Sequence, residues 1–203
     1  SKRKGGFDIQ GLRKDMNIES MAINSLFATI GSSKPITMYK DMASLLKAFN
    51  IKHYTRSAAN YMPEQLERLN HKIVAELEYD DIKERLAAIG LADMTADFWQ
   101  AVRGNLNKFD EIKDWWHICH ANIAAQDADQ SYLDIAKSLF PEGEIVSETW
   151  SNWTKAIAAK TGKKGKALFM PLRKALTGMD HGPELKNLLP LIGRKKIIER
   201  LSS

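Results

Sequence analysis

The sequence predicts an all-α, mainly helical protein. Two observations support this fold class: apolar residues recur three or four positions apart over much of the chain, and glycine or proline follows most of these runs. Apolar residues make up 44% of the 203 positions, which is enough to fill a core. A chain of this length forms one large domain or two to three small ones. We expect three helical regions, spanning 1–75, 76–140 and 141–203.

The first region contains three predicted helices and one short stretch, 51–54, that we expect to be extended. The first helix ends at Gly31, and its apolar face comprises Met21, Ile23, Leu26, Phe27 and Ile30. The second spans 41–49, and its expected inward-facing residues are Met42, Leu45, Leu46 and Phe49. The third opens at Pro63, because proline suits a first helical turn, and its apolar residues are Leu66, Leu69, Ile73 and Leu77.

The second region contains two groups of polar residues that resemble catalytic or metal sites. Adjacent Asp80 and Asp81 diverge on a helix and suit its positive N-terminal dipole, which favours a structural role over acid chemistry. The segment WWHICH, 115–120, places two histidines around Cys119. Zinc sites need three or four ligands, and the sequence has no second cluster, so a buried helix end is favoured. Thr95 is the expected N-cap of the helix before this segment.

The third region ends in three predicted helices. Pro171 and Pro183 are expected in the first turns of the first two helices, and Gly178 and Gly193 at their ends. The last helix spans 194–201, with Ile197, Ile198 and Leu201 facing inward and Lys195, Lys196 and Arg200 facing outward. The predicted module has an exposed Gly-Pro corner at 182–183 and a basic coat.

Two further features of the third region have more than one interpretation. Trp150 and Trp153 lie on one helical face and would be able to stack on unpaired bases, but core packing is favoured because tryptophan is largely buried on average. The glycine- and lysine-rich stretch 160–166 is either a solvated basic loop or a turn whose backbone contacts RNA. Both interpretations of this stretch stay open.

Positive charge is concentrated near the end of the sequence. Residues 160–201 contain 11 of the 30 Lys and Arg residues but only three of the 25 acidic residues, a net charge of +8, whereas residues 1–159 carry −3. Folding gains nothing from concentrating like charges, so this asymmetry indicates an anionic partner. A nucleic acid, with its row of phosphates, is the natural candidate.

The composition is typical of an intracellular protein. Cys119 is the single cysteine, so no intrachain disulfide can form, which fits a reducing compartment. No apolar run approaches the ~18 residues of a membrane span, and the first residues lack the apolar middle of a signal peptide. We therefore expect a cytoplasmic protein with no membrane association.

The 34 residues from 168 to 201 resemble a known family. LFMPLRKALTGMDHGPELKNLLPLIGRKKIIERL, 168–201, is similar to the C-terminal anticodon-binding module of bacterial glutamyl-tRNA synthetases, with its glycines and prolines in register. The strings FWQAVRGNL and ETWSNWTKAIAAKTGKKGKALF resemble the alphaproteobacterial branch. The starting residues SKRKGGFDIQGLRKDMNIESMAINSLFATIG resemble the end of the Lys-Met-Ser-Lys-Arg-type loop and the helices that follow it in this class I family.

The resemblance implies an architecture and a function. Residues 1–75 would be the stem-contact region, which links the catalytic half to the anticodon module, and 76–140 and 141–203 would be two helical anticodon-binding subdomains. The family ligates glutamate to its tRNA with ATP and Mg²⁺. The catalytic domain and its His-Ile-Gly-His-type signature are absent here, so this stretch alone is expected to bind no cofactor or metal and to catalyse nothing. We expect a monomer that binds tRNA(Glu).

The resemblance also implies roles for individual residues. Those on the ATP loop would be Ser1, Lys2 and Arg3. Those in contact with the first anticodon base would be Gly182, Pro183 and Leu185. Those that hold RNA phosphates would be Lys163, Lys164, Lys166, Arg173 and Lys174.

Asn105 marks a departure from the family pattern. Many members carry an arginine at this position, where it is associated with selection of the third anticodon base. An amide cannot supply the five-donor fork of a guanidinium. The hypothesis is that the protein is relaxed at this base and also accepts tRNA(Gln).

Two alternative functions stay open on the residues themselves. A helical nucleic-acid-binding module outside the synthetases would have the same segregated charge. A helical adaptor would instead bind a protein groove, and its affinity would depend little on salt, because it would make no phosphate contacts.

Overall fold

The computed structural model describes residues 8–56, 58–123 and 129–202. This part of the chain contains α-helices, short 3₁₀ turns and a single isolated bridge between Ser32 and Tyr54, but no strand. The prediction of an all-α protein is confirmed. Among the described helices, none combines the length and the apolarity that a membrane span requires.

The chain forms two compact units, which divide between Ile112 and Lys113. This division does not follow the three functional regions proposed from the sequence, whose bounds stay a prediction.

The described part of the first unit contains six α-helices. They are α1 (Ile9–Lys14), α2 (Ser20–Phe27), α3 (Met42–Ala48), α4 (Pro63–Glu76), α5 (Tyr79–Ala88) and α6 (Ala96–Val102). Helices α2 and α4 pack together through their apolar faces, which share a core with Ile18, Leu26, Leu66 and Ile73. The helix starts expected at Pro63 and at Thr95 are confirmed: Pro63 is the first residue of α4, and the Thr95 hydroxyl accepts a hydrogen bond from the Phe98 amide at 3.2 Å.

The third helix differs from the prediction in the residues that it buries. The helix was expected from residue 41, and Asp41 is its N-cap, since its carboxylate accepts from the Ser44 amide at 2.7 Å. Of the four apolar residues expected to face inward, only one is buried, and Met42, Leu46 and Phe49 are 47%, 65% and 44% exposed. The prediction was wrong for these three residues. The short helix α3 packs against the rest of the unit over a narrow area, so only part of its apolar face is buried. The stretch 51–54, expected to be extended, forms a 3₁₀ turn at Ile51–His53.

A polar junction lies inside the first unit. Asn70 on α4 is fully buried; its side-chain oxygen accepts from the Glu19 amide at 2.7 Å, and its nitrogen donates to the Asn107 carbonyl at 2.6 Å. The Glu19 carboxylate, 11% exposed, accepts from the Arg85 guanidinium at 2.6 Å. A charged group that loses water is stabilised only by a close partner of opposite charge or by hydrogen bonds, and this carboxylate has such a partner. The junction therefore connects α2, α4, α5 and the loop after α6.

The second unit contains the other helices. They are α7 (Ile112–His120, which starts at the last residue of the first unit), α8 (Gln130–Ser138), α9 (Thr149–Thr161), α10 (Lys166–Thr177), α11 (Leu185–Ile192) and α12 (Arg194–Arg200). Helix α9 contacts α8, α10 and α11, and α12 contacts α10 and α11. The core expected from Trp153 is confirmed: the residue is fully buried, and its indole nitrogen donates to the Ala136 carbonyl at 2.7 Å. Trp150 is half-buried against Trp153 and Phe169.

Three details of the last helices differ from the sequence-based prediction. Pro171 lies inside α10 rather than in its first turn. Helix α11 begins at Leu185, two residues after the expected start at Pro183. Arg200, expected to face outward, is 2% exposed. The expected left-handed cap at Gly178 is confirmed, with a φ of +71°.

Gly193 joins α11 and α12 with no linker between them. It is the C-cap of one helix and the N-cap of the other, at φ +80° and ψ 150°. Only glycine adopts this backbone conformation readily. The two helices therefore meet at a single residue.

The WWHICH segment forms the last six residues of α7. Cys119 is buried, and burial raises the pKa of its thiol to about 12. His117 and His120 are exposed, and His120 stacks on Trp116. Within the described residues, no three His, Cys, Asp or Glu side chains are grouped so that they could hold a metal ion. The favoured interpretation, a buried helix end, agrees with Trp115, which is 7% exposed.

Candidate nucleic-acid interface

The candidate site of the second unit is the turn between α10 and α11, residues 178–184. Gly178 ends α10, and its amide donates to the Lys174 carbonyl at 2.8 Å. The Thr177 hydroxyl accepts from the Met179 amide at 3.1 Å and donates to the Arg173 carbonyl at 2.7 Å. These bonds occupy backbone groups that the end of a helix would otherwise leave without partners. The first residues of the turn are thus fixed to α10.

Arg173 fixes the other end of the turn. Its Nη2 donates to the Pro183 carbonyl at 2.8 Å, while its Nη1 is buried with no hydrogen-bond partner. Burial lowers the pKa of this guanidinium. Because the side chain is half-buried and bonded to the turn, the structure gives Arg173 a position inside the corner rather than on its surface.

Trp115 on α7 forms the floor of the turn. A Cβ atom at Gly182 would lie 2.1 Å from Cη2 and 2.3 Å from Cζ2 of the Trp115 indole. Gly182 also has a φ of +120°, which side-chain-bearing residues rarely adopt. Glycine is therefore required here both by the backbone conformation and by the close approach of the ring.

The Gly-Pro corner at 182–183 was predicted to be exposed, and this prediction was wrong. Pro183 is buried, Leu185 is 4% exposed, and Gly182 is partly covered. Glu184 is 67% exposed, and the tip residues Asp180 and His181 are 70% and 76% exposed. They form a pair in which the imidazole Nδ1 lies 2.5 Å from the carboxylate, and the hydrogen bond from His181 lowers the pKa of Asp180. The apolar residues shape the turn, and the polar pair occupies its tip.

The basic residues of 160–201 separate by residue type. All three arginines donate to backbone carbonyl groups: Arg173 to Pro183, Arg194 to Pro141 and Gly143, and Arg200 to Leu176, Ile118 and Ala121. The exposed cations are all lysines, namely Lys160, Lys164, Lys166, Lys174, Lys186 and Lys195. Surface cations able to hold phosphates are therefore provided by lysine.

Lys163 differs from the other lysines predicted to hold phosphates. Its Nζ lies 3.6 Å from the Asp129 carboxylate and 4.2 Å from the centre of the Tyr132 ring. The stretch that contains it is a short loop, since α9 extends to Thr161 and α10 starts at Lys166. Lys164 and Lys166 are exposed on either side of Gly165.

Comparison with known families identifies the domain that this unit forms. The family model described as "anticodon binding domain" matches residues 102–203, which include the whole second unit. The chain belongs to the anticodon-binding-domain family. The turn and the lysines described above thus lie inside the anticodon-binding domain.

Curated relatives place the anticodon-binding domain in a larger protein. The chain is 47% identical to glutamate–tRNA ligase 1 of Rickettsia akari and 49% identical to that of Rickettsia massiliae, over its full length and 46% of each relative. The chain thus spans a little less than half the length of these relatives. The predicted resemblance to glutamyl-tRNA synthetases is confirmed.

Solved structures share the fold. A glutamate–tRNA synthetase from Elizabethkingia anophelis matches 93% of this chain with a TM-score of 0.70, and a glutamate–tRNA ligase from Elizabethkingia meningosepticum matches it with 0.71. Each is 16% identical and is covered over 41% of its own length. At this identity the likeness concerns the fold alone.

Asn105 lies in the part of the first unit that the family match also covers. It is exposed at the end of a 3₁₀ turn, Arg103–Asn105. The nearby arginine, Arg103, donates to the Leu77 carbonyl at 2.8 Å and pairs with Glu78 at 3.2 Å, so it is held against its own unit. The exposed polar group at this turn is an amide.

The predicted ATP-loop residues Ser1, Lys2 and Arg3 lie outside the described residues. Sequence reasoning missed two residues that build the site, Trp115 and the inward-facing Arg200. A signal for the first was present, since a glycine before proline in a tight turn indicates a close neighbour. Helical spacing offered a signal for Arg200, which lies three residues after Ile197 and so on the same side of α12.

Proposed function

We propose that this chain is the tRNA-binding, anticodon-recognition portion of a class I glutamate–tRNA ligase. The observation that carries the proposal is the match to the anticodon-binding-domain family over 102–203, on a unit whose exposed cations are lysines. The high identity to glutamate–tRNA ligases supports glutamate as the amino acid of the full enzyme. The partner is tRNA(Glu), bound by a monomer.

Recognition begins with phosphate contacts. Exposed Lys164, Lys166 and Lys174 hold RNA phosphates and set the register of the anticodon loop, and Lys163 contributes less because it is already paired. Anticodon bases are unstacked in a loop, so a protein can reach their edges and faces. The turn 178–184 meets the first base with its exposed tip and with the Leu185 and Lys186 amides at the start of α11. The next two amides, of Asn187 and Leu188, already donate to the Glu184 carbonyl.

The residues that the family resemblance assigned to the anticodon contact act here by shaping the turn. Gly182 allows the turn its shape, and buried Pro183 and Leu185 fix that shape from inside. Arg173 acts through the Pro183 carbonyl rather than by holding a phosphate with an exposed guanidinium. The polar contacts to the base then come from the tip and from the backbone.

Catalysis belongs to the part of the enzyme outside this chain. The full-length ligase activates glutamate with ATP and Mg²⁺ and transfers it to tRNA, and Ser1, Lys2 and Arg3 belong to its ATP loop. By itself the chain binds tRNA and catalyses no transfer. Incubating the chain with glutamate, ATP, Mg²⁺ and tRNA tests this point; any glutamyl-tRNA formed would contradict it.

A titration with labelled tRNA(Glu) transcript tests the binding function. We expect affinity to fall steeply between low and high salt, because each neutralised phosphate contributes about 0.7–0.9 to the slope of log K against log salt. Replacing the anticodon bases should weaken binding further. A flat salt response would favour a protein-binding adaptor, and equal affinity for every anticodon would favour a general nucleic-acid module.

The enzyme is further proposed to accept tRNA(Gln). Support comes from the exposed Asn105 amide, which offers fewer and less rigid donors than a guanidinium, and from Arg103, which is held by Leu77 and Glu78. Charging assays with the full-length enzyme should show glutamate attached to both tRNAs. Asn105→Arg should restrict charging to tRNA(Glu), while Asn107→Arg on the same loop serves as the matched control. Rejection of tRNA(Gln) by the unmodified enzyme would overturn this part.

A further inference from the structure

The turn between α10 and α11 is supported from one side by a ring that the proposed function does not use. Trp115 is 7% exposed, and the ring atoms nearest Gly182 are Cη2, Cζ2 and Cζ3. All three belong to the six-membered ring of the indole. The ring therefore lies directly against the residue that adopts φ +120°.

The turn is held at three places. Thr177 binds its start, Arg173 binds its end through the Pro183 carbonyl, and Trp115 supports its middle. The exposed Asp180 and His181 lie between the first and the middle support. If the Trp115 ring were removed, the two ends of the turn would stay fixed. The tip residues, Asp180 and His181, would then project less far from the unit.

We propose that Trp115 is a positioning residue for anticodon selection. Its six-membered ring sets how far the tip of the turn projects, and so determines whether the polar groups of the tip and the first amides of α11 reach the edge of the first anticodon base. This inference rests on the proposed function, because it assigns a role within the same RNA contact. Trp115 itself is buried and touches no RNA.

The height of the tip affects selectivity more than general affinity. Base recognition needs donor–acceptor distances within a few tenths of an ångström, whereas a lysine reaches a phosphate from a range of positions. Loss of the ring should therefore reduce the preference for the correct base and leave the phosphate contacts in place.

The test compares two tRNA transcripts that differ only in the first anticodon base, bound to the 203-residue chain. Trp115→Phe is the informative variant, because phenylalanine keeps an aromatic core residue but lacks the ring atoms that face Gly182. We expect it to lose about tenfold in affinity for the matched transcript and little for the mismatched one. The salt dependence should not change. Trp150→Phe is the matched control, since it shortens a half-buried indole elsewhere in the unit, and it should keep the full preference.

A double-mutant cycle separates positioning from general damage to the core. Gly182→Ala places a methyl group where the ring lies, so it should weaken the same preference. Combining it with Trp115→Phe should cost less than the sum of the two single effects, because the smaller ring leaves room for the methyl group. Additive losses, or a folded Trp115→Phe variant that keeps the full preference, would overturn the inference. If the unmodified chain showed no preference between the transcripts, the proposed function would fail first.

Discussion

The two units balance a buried charge in different ways, a carboxylate in the first unit and a guanidinium in the second. In the first unit, Arg85 bonds to the carboxylate of Glu19 at 2.6 Å. In the second unit, Arg200 has carbonyl partners: it donates to Leu176 at 2.5 Å, to Ile118 at 2.7 Å and to Ala121 at 2.8 Å. These carbonyl groups lie at the C-terminal ends of α10 and α7.

Arg200 therefore needs no acidic partner within residues 160–201, whose net charge is +8. The C-terminal end of a helix carries roughly half a negative charge, so two such ends balance one guanidinium without an acidic side chain. An additional acidic partner for Arg200 would have lowered that net charge by one. Helix ends thus serve as the counter-charge of a buried guanidinium.

The largest effect on stability is expected from replacing the buried Arg200 of the second unit. Arg200→Met leaves three buried carbonyl groups without donors and should reduce the free energy of unfolding by about 3 kcal/mol. Urea denaturation followed by circular dichroism measures this. Lys195→Met on the same helix, whose side chain is 90% exposed, is the control and should change stability by no more than about 0.5 kcal/mol. Equal effects of the two substitutions would show that the helix ends do not depend on Arg200.

A smaller effect is expected at the polar junction of the first unit. Asn70→Ala removes two buried hydrogen bonds, to the Glu19 amide and the Asn107 carbonyl, and should lower the free energy of unfolding by about 2 kcal/mol. Asn70→Asp can still accept from Glu19 but cannot donate to Asn107, so it separates the two bonds. Hydrogen exchange of α2 and α4 amides should accelerate. Unchanged exchange would show that the junction does not hold these helices together.

Lysines of the second unit should differ according to their partners. Lys164→Gln should reduce the slope of log K against log salt for tRNA by about 1, since this side chain is exposed. Lys163→Gln should reduce it less, because Asp129 and Tyr132 already hold the ammonium. Equal slopes for the two variants would mean that Lys163 leaves these partners when RNA binds.

The smallest effect on stability at neutral pH is expected from ionisation of the Cys119 thiol. Its pKa is raised from 9.0 to about 12 by burial, so the thiol is protonated in both the folded and the unfolded chain below about pH 8. Above pH 9 the unfolded chain loses the proton first, and stability should fall as pH rises towards 12. Urea midpoints at increasing pH should show this decline, and Cys119→Ala should lessen it. Rapid alkylation of the folded thiol near pH 8 would contradict its burial.

Periodic patterns and caps predicted much of this fold. Asp41, Pro63, Thr95 and Gly178 all end or begin helices where the sequence placed them, because capping depends on local chemistry. The buried side of α3 was not predictable, since exposure of Leu46 depends on which surfaces surround the helix. In the candidate site, the charge of the basic stretch was evident from the sequence, whereas the division between inward arginines and outward lysines depends on tertiary contacts.

Gly193 restricts how the second unit tolerates changes in length. Because α11 and α12 share this one residue, an insertion within α11 would rotate everything after it by about 100° per added residue. Such a rotation would turn the Arg200 side chain away from the two helix ends that it neutralises. Insertions and deletions should therefore be accepted between α8 and α9, where a loop can absorb them, and rejected between the Gly-Pro turn and the final helix.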